Sequence, residues 1–151
     1  MGTLADISFK EQGIINFTPE EVVRTGAKLS EVKLVLFLCL QAFRTDLGQA
    51  INLLFNGLTT GDHAAPEHPR GEAVDFTIRG SIDVRRIVVL LIRAGFNGIG
   101  IYYNGVAYSF HADLRPAERF AIWTGVKDAP GAGPWKMKTV VGNTLNMFDP
   151  K

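Results

Sequence analysis

The dipeptide Asn104-Gly105, set between Gly98–Tyr103 and Ala107–Asp113, constrains this chain more than any other short stretch. Asn-Gly supplies the two positive-φ positions of a type I′ turn, whose twist matches that of the strands it joins. The reading is a tight β-hairpin, so one antiparallel pair is fixed and the rest of the chain must pack around it.

Ahead of the hairpin, Thr18-Pro19-Glu20-Glu21 is a helix start. The Thr hydroxyl caps a free N–H, Pro tolerates the first helical position, and Glu21 closes a capping box. This helix should stop near Gly26. From Ser30 to Phe43 apolar residues recur at Val32, Val35, Leu36, Cys39, Leu40 and Phe43, the spacing of a helix with one buried face, ended by Gly48. Ser81 is read as the cap of a further helix, Ile82 to Ala94, with Gly95 as its stop. Ala50–Phe55 and Glu72–Ile78 read as strands, and a last strand is placed at Arg119–Trp123. Residues 1–17 read as an irregular lead-in, Ala129–Pro134 as a loop, and the polar end from Gly142 as loosely held. This order predicts an α+β domain, helices packed on a mainly antiparallel sheet. One domain spans 1–151, with a core of about 17–125 and a C-terminal extension, 126–151.

Composition narrows the function classes. A chain of 151 residues suits one compact domain, expected to be a monomer. Lys and Arg number 16 against 15 Asp and Glu, with no basic stripe, which argues against a nucleic-acid binder relying on phosphate neutralisation. The single cysteine, Cys39, excludes an internal disulfide and a cysteine-built zinc finger, and it reads as core. The longest apolar run, Leu34 to Leu40, is too short to span a bilayer, so no membrane partner is expected. The first dozen residues carry Asp6, Lys10 and Glu11 without an apolar stretch. They predict synthesis in the cytoplasm without a signal peptide.

The chemistry lies with three histidines, His63, His68 and His111. His68 ends a long loop, Asn56 to Arg70, and Asp75 stands on the strand that the loop feeds; loops of this length in compact domains tend to be functional. On the hairpin's second arm, alternation puts His111 and Asp113 on one face and Phe110, Ala112 and Leu114 on the other. Asp75 shares its face with Ala73. Two neutral imidazoles and a carboxylate are a ligand set of catalytic zinc, which leaves a fourth position for water. A further carboxylate can accept the proton of that water, and Asp113 is nominated as this base. His63 is read as an exposed loop residue away from the metal, and Tyr102 and Tyr103 as packing or cleft-lining. Ser109 near His111 leaves a Ser/His/Asp triad as a competing arrangement. The glycines of Gly95–Gly100 do not form G-x-G-x-x-G and follow a helix, so a dinucleotide site is rejected.

The pattern H-x-x-G-x-A-x-D (His68 to Asp75), followed by Gly98-Ile-Gly-Ile-Tyr102 and H-x-D-x-R (His111 to Arg115), resembles the zinc D-Ala-D-Ala carboxypeptidase family of murein peptidases. Its fold is shared with the hedgehog signalling domain. The similarity runs from Phe17 to Trp123, about 70% of the chain, with the two metal motifs about 40 residues apart. The resemblance implies one zinc held by His68, Asp75 and His111, with Asp113 catalytic. Some relatives carry H-x-H with the second position on the metal, which would make Asp113 the ligand and His111 the helper; the first assignment is preferred. The implied partners are peptidoglycan stem peptides, cut by a carboxypeptidase or an endopeptidase and reached as a phage endolysin or virion component would reach them. Asn56-Gly57-Leu58-Thr59-Thr60 stands where the family has an arginine that holds the substrate carboxylate. Either Arg70 or Arg115 substitutes, with Tyr102 also at the substrate, or a substrate with a free carboxylate is not used, which weakens the carboxypeptidase reading more than the endopeptidase one. The missing arginine also favours an alternative, an inactive member of the fold serving as a wall-binding or virion structural module.

Overall fold

The computed structural model describes residues 2–142, and these form an α+β architecture. In chain order the elements are α1 (Pro19–Arg24), α2 (Leu34–Leu47), β1 (Ile51–Leu53), β2 (Ala73–Ile78), α3 (Val84–Ala94), β3 (Gly98–Tyr103), β4 (Tyr108–Asp113), β5 (Ala121–Val126) and β6 (Lys136–Val141). The strands build one open sheet in the order β1-β2-β4-β3-β5-β6. Neighbours run antiparallel except β3 and β5, which are parallel.

Several local expectations shift in instructive ways. The capping box of α1 forms as read, with Thr18 and Glu21 each accepting from the other's backbone N–H. Ser30 does not open α2; it lies in a 3₁₀ turn, Leu29–Glu31. The backbone at Lys33 and Leu34 is tied instead to distant carbonyls, those of Gly71 and Gly2, so the helix begins at Leu34 and runs to Leu47. Asp83, not Ser81, caps α3 by accepting from the Arg86 N–H at 3.1 Å. The hairpin turn is displaced by one residue: Gly105, at φ 89°, and Val106 form its centre. Asn104 stays outside the left-handed region, and its side chain accepts from the N–H groups of Val106 and Ala107. Residues 2–17 are irregular as read, with one 3₁₀ turn at Leu4–Asp6, yet they are packed down: Leu4, Phe9, Ile14 and Phe17 are buried and the rings of Phe9 and Phe17 pack on Phe37. Arg119 lies in a 3₁₀ turn, so the strand expected there begins at Ala121. The supposed C-terminal extension adds β6 to the sheet. Residues 143–151, most of the end read as loosely held, lie outside the described residues.

Alternation decides what each face of the sheet does. Val74 and Phe76, Ile99 and Ile101, Phe110 and Ala112, and Ile122 join one core with Leu36, Phe37, Leu40 and Phe43 of α2 and Ile87, Leu90 and Leu91 of α3. Removing this apolar surface from water is the main drive to fold. The opposite face carries two cross-strand rows: Asp75, His111, Gly100 and Trp123, then Ala73, Asp113, Gly98 and Ala121. A Cβ at Gly98 would collide with the Asp113 carboxylate and the Arg115 guanidinium, and one at Gly100 with the Trp123 indole. Small residues on β3 therefore let the large side chains of Trp123 and Arg115 lie across the sheet. No helix among the described residues is long and apolar enough to cross a membrane.

Candidate metal centre

The loop that carries His68 is folded back over β2. The Gly57 carbonyl accepts from the Asp75 N–H at 2.7 Å, and the Leu54 N–H donates to the Asp75 carbonyl at 3.1 Å. Gly71 of the H-x-x-G pattern sits at φ 73°, where a side chain would also strike the Glu31 carbonyl, so glycine is required there. These restraints bring His68 above the Asp75–His111 pair, which is already set by strand register.

Three donor atoms converge. His111 Nδ1 lies 2.8 Å from Asp75 Oδ1, His68 Nε2 lies 3.3 Å from the same oxygen, and the two ring nitrogens are 3.1 Å apart. Donors around a tetrahedral zinc, each about 2.0–2.1 Å from the ion, stand about 3.3 Å from one another. His63, His68 and Asp75 also form a group whose ligand atoms lie within 4.8 Å of one another and that can hold a metal ion. His63 is therefore not an exposed loop residue. Asn56 adopts a left-handed conformation, φ 57°, and its carbonyl with that of Thr60 takes the His63 Nε2–H at 2.6 and 2.8 Å, which turns the ring inward.

Each histidine has one nitrogen committed to an oxygen that can only accept. His68 Nδ1–H donates to the Leu58 carbonyl at 2.6 Å, and His111 Nε2–H donates to Asp113 Oδ2 at 2.8 Å. His68 Nε2 is left with its lone pair, whereas His111 Nδ1–H donates to Asp75 Oδ1 at 2.8 Å in the metal-free protein; an ion would take the place of that proton, as at metal-binding imidazoles. Lone pairs and a carboxylate crowded at one point require a cation or a proton among them. Burial pushes the His68 imidazole down. Burial also opposes charging of His111, but its bonds to Asp113 and Asp75 outweigh this and push it up to about 9. Burial works to raise the Asp75 carboxyl, yet His111 and His68 hold it well below the usual carboxylate range. Both His111 nitrogens face carboxylates, so neither serves Ser109, which rules against the Ser/His/Asp triad.

Asp113 requires a correction. It is fully buried beneath His111 and does not line the cavity, so it cannot reach a substrate or its water as a base. Arg115 donates to it from Nε at 2.9 Å, from Nη2 at 2.6 Å and from its backbone N–H at 3.0 Å. Burial raises the Asp113 carboxyl, but bonds from Arg115 and His111 keep it well below its ordinary range. Arg115 is itself buried and stacks over Trp123 at 5.0 Å, and Arg70 is exposed; neither lines the cavity, so neither takes there the place expected of a substrate-holding arginine.

A cavity of about 340 Å³ opens over Asp75, His68 and His111 and is lined also by His63, Asp62 and Ser109. Its aromatic part is Tyr102, Trp123 and Trp135. The Tyr102 hydroxyl accepts from Trp123 Nε1 at 2.7 Å, and burial pushes it up to about 12. Trp135, on the segment leading into β6, meets Tyr102 edge to face at 5.1 Å. Sequence reasoning missed His63 as a cavity residue, Trp135, and Glu67. The Glu67 carboxylate is buried without a hydrogen bond among the described residues and lies 3.6 Å from Arg119 Nη2. Comparison of the chain with protein-family models, curated proteins and solved structures gives no match.

Proposed function

We propose that this chain is a zinc-dependent peptidase that hydrolyses amide bonds in the peptide stems of bacterial cell wall, on the hedgehog/D-Ala-D-Ala-carboxypeptidase plan. The observation that carries the reading is the convergence of His68 Nε2, Asp75 Oδ1 and His111 Nδ1 within 3.3 Å, with the other nitrogen of each histidine pinned to an oxygen acceptor. The order of the motifs that supply these residues adds to it. His68, Asp75 and His111 would hold the ion. When bound, zinc polarises the scissile carbonyl and makes water acidic enough to attack near neutral pH. The Leu58 carbonyl keeps the proton of His68 on Nδ1. Asp113, held by Arg115, keeps that of His111 on Nε2 and orients the ring. Tyr102, Trp123 and Trp135 supply an apolar wall that packs on the substrate and excludes bulk water. Among the described residues no Arg or Lys lines the cavity, which favours cleavage within a stem or cross-link over removal of a residue with a free carboxylate.

Protein purified without chelator should carry about one zinc per chain and release new amino groups from purified murein. Chelation should abolish the release and added zinc restore it, and Asp75→Ala should lose both metal and activity. Zinc bound without any amine released, across stems of varied cross-linking, would favour the non-catalytic wall-binding alternative. A metal-free protein with full lytic activity would overturn the mechanism.

A further inference from the structure

With Asp113 withdrawn, the reaction needs another group to carry the proton from water to the leaving amine. We propose that His63, through Nδ1, is that catalytic residue; the assignment rests on the zinc-peptidase reading. His63 lines the cavity with 16% of its side chain exposed. Its Nε2–H is held by two backbone carbonyls, so Nδ1 presents its lone pair. Asp75 Oδ2 lies 3.7 Å from Nδ1, beyond hydrogen-bond distance, and no hydrogen bond engages this nitrogen among the described residues.

Ring geometry argues that His63 stands beside the ion rather than on it. An imidazole lone pair lies in the ring plane. The rings of His63 and His68 are stacked 3.6 Å apart at 15°, so an ion about 2.1 Å from a nitrogen of each cannot lie in both planes. The rings of His68 and His111 are inclined at 61°, so the stacking that bars a shared in-plane position does not apply to them. Stacking on a ligand thus holds His63 against the reaction centre while excluding it from coordination. The other proton-bearing lining groups fit less well: Asp62 is exposed, and the Tyr102 hydroxyl is engaged by Trp123.

In the step, the water oxygen forms a bond to the carbonyl carbon as one of its protons passes to His63 Nδ1. The C–N bond then breaks, its electron pair stays on nitrogen, and Nδ1 returns the proton there. An acid and an amine leave, and His63 is neutral again.

The test loads wild type, His63→Ala and His63→Gln with zinc and, separately, with cobalt(II) as a coloured reporter of coordination. Turnover is followed on murein and on p-nitrophenyl acetate, an activated ester that reports metal-and-base chemistry whatever the natural substrate. Both variants should bind one ion per chain with unchanged cobalt bands, yet lose about 10²–10⁴-fold in turnover. Free imidazole should partly rescue His63→Ala. Loss of the ion or shifted bands in both variants would make His63 a ligand and overturn the proposal, as would full turnover in either. If wild type binds zinc and cleaves the ester but not murein, the wall-peptide reading fails while the ester rates still decide on His63. Wild type that binds no zinc overturns both.

Discussion

Asparagine at position 113 would keep the shape of the residue beneath His111 and remove its charge. In the native protein the Asp113 and Arg115 side chains are both 0% exposed and joined at 2.6 Å. The carboxylate also takes the Arg115 Nε–H, its backbone N–H and the His111 Nε2–H. Asp113→Asn leaves the guanidinium facing an amide whose NH₂ group repels it. Removing one partner of a buried pair costs about 3–5 kcal/mol. The lower half of that range is expected because buried Glu67 also lends Arg115 an opposite charge. With a urea slope of about 2 kcal/mol/M, the unfolding midpoint should fall by about 2 M. Zinc affinity should weaken about 10–100-fold, because His111 loses the acceptor that fixes its proton and orientation. The double variant Asp113→Leu/Arg115→Met removes both charges and should regain part of the lost stability, Glu67 then keeping only Arg119 as its counter-charge among the described residues, without regaining zinc affinity. Urea titrations of the apo-proteins and competition with a zinc dye measure the two effects separately. A midpoint shift below about 0.5 M in the single variant would refute the energetic reasoning. Wild-type zinc affinity in the double variant would refute the role given to Asp113.

Two further outcomes are expected. His111 in the folded apo-protein titrates at about 9 against about 6.5 unfolded, so its stabilisation is complete below about pH 6.5 and is lost as pH rises through 9. In the zinc-loaded protein protons compete with the ion for the same donors, so stability instead falls toward acid; urea midpoints from pH 6 to 9, with and without chelator, should show opposite slopes, and equal slopes would count against the shared donor set. Gly98→Ala places a methyl group against Asp113 and Arg115 and should cost about 1–3 kcal/mol together with some zinc affinity. Unchanged denaturation and zinc binding would show that the trough on β3 tolerates a side chain.

Local chemistry was legible wherever a residue acts through its immediate neighbours. The capping box at Thr18, the left-handed stops at Gly48 and Gly95, and the face shared by His111 and Asp113 all follow from short-range rules. Misreadings arise where distant chain intervenes. Ser30 lost its helix because the backbone before Leu34 bonds to Gly71 and Gly2. The β6 segment, Lys-Met-Lys-Thr-Val-Val, is a largely exposed edge strand, so no buried alternation marks it, and Trp135 came unnoticed with it. Asp113 passed for a base because its spacing from His111 gives the face but not the depth; Arg115, two residues on, closes over it. His63 had no pattern around it. Only the folded loop, with Asn56 turned left-handed, shows where the ring goes.

Asp75 and His111 are anchored in the middle of a sheet, opposite each other in register, whereas His68 rides on a turn outside any strand. The two kinds of support differ in how often they give way: interior strand pairs open only with much of the molecule, while a turn outside the sheet, even one with Glu67 and His68 buried, opens at lower cost. An ion in this site would thus be released in stages, the turn swinging aside first and a two-donor remnant keeping a weak hold. The pace of metal exchange would then follow the breathing of one loop, and stiffening that loop would slow exchange without altering the strands beneath.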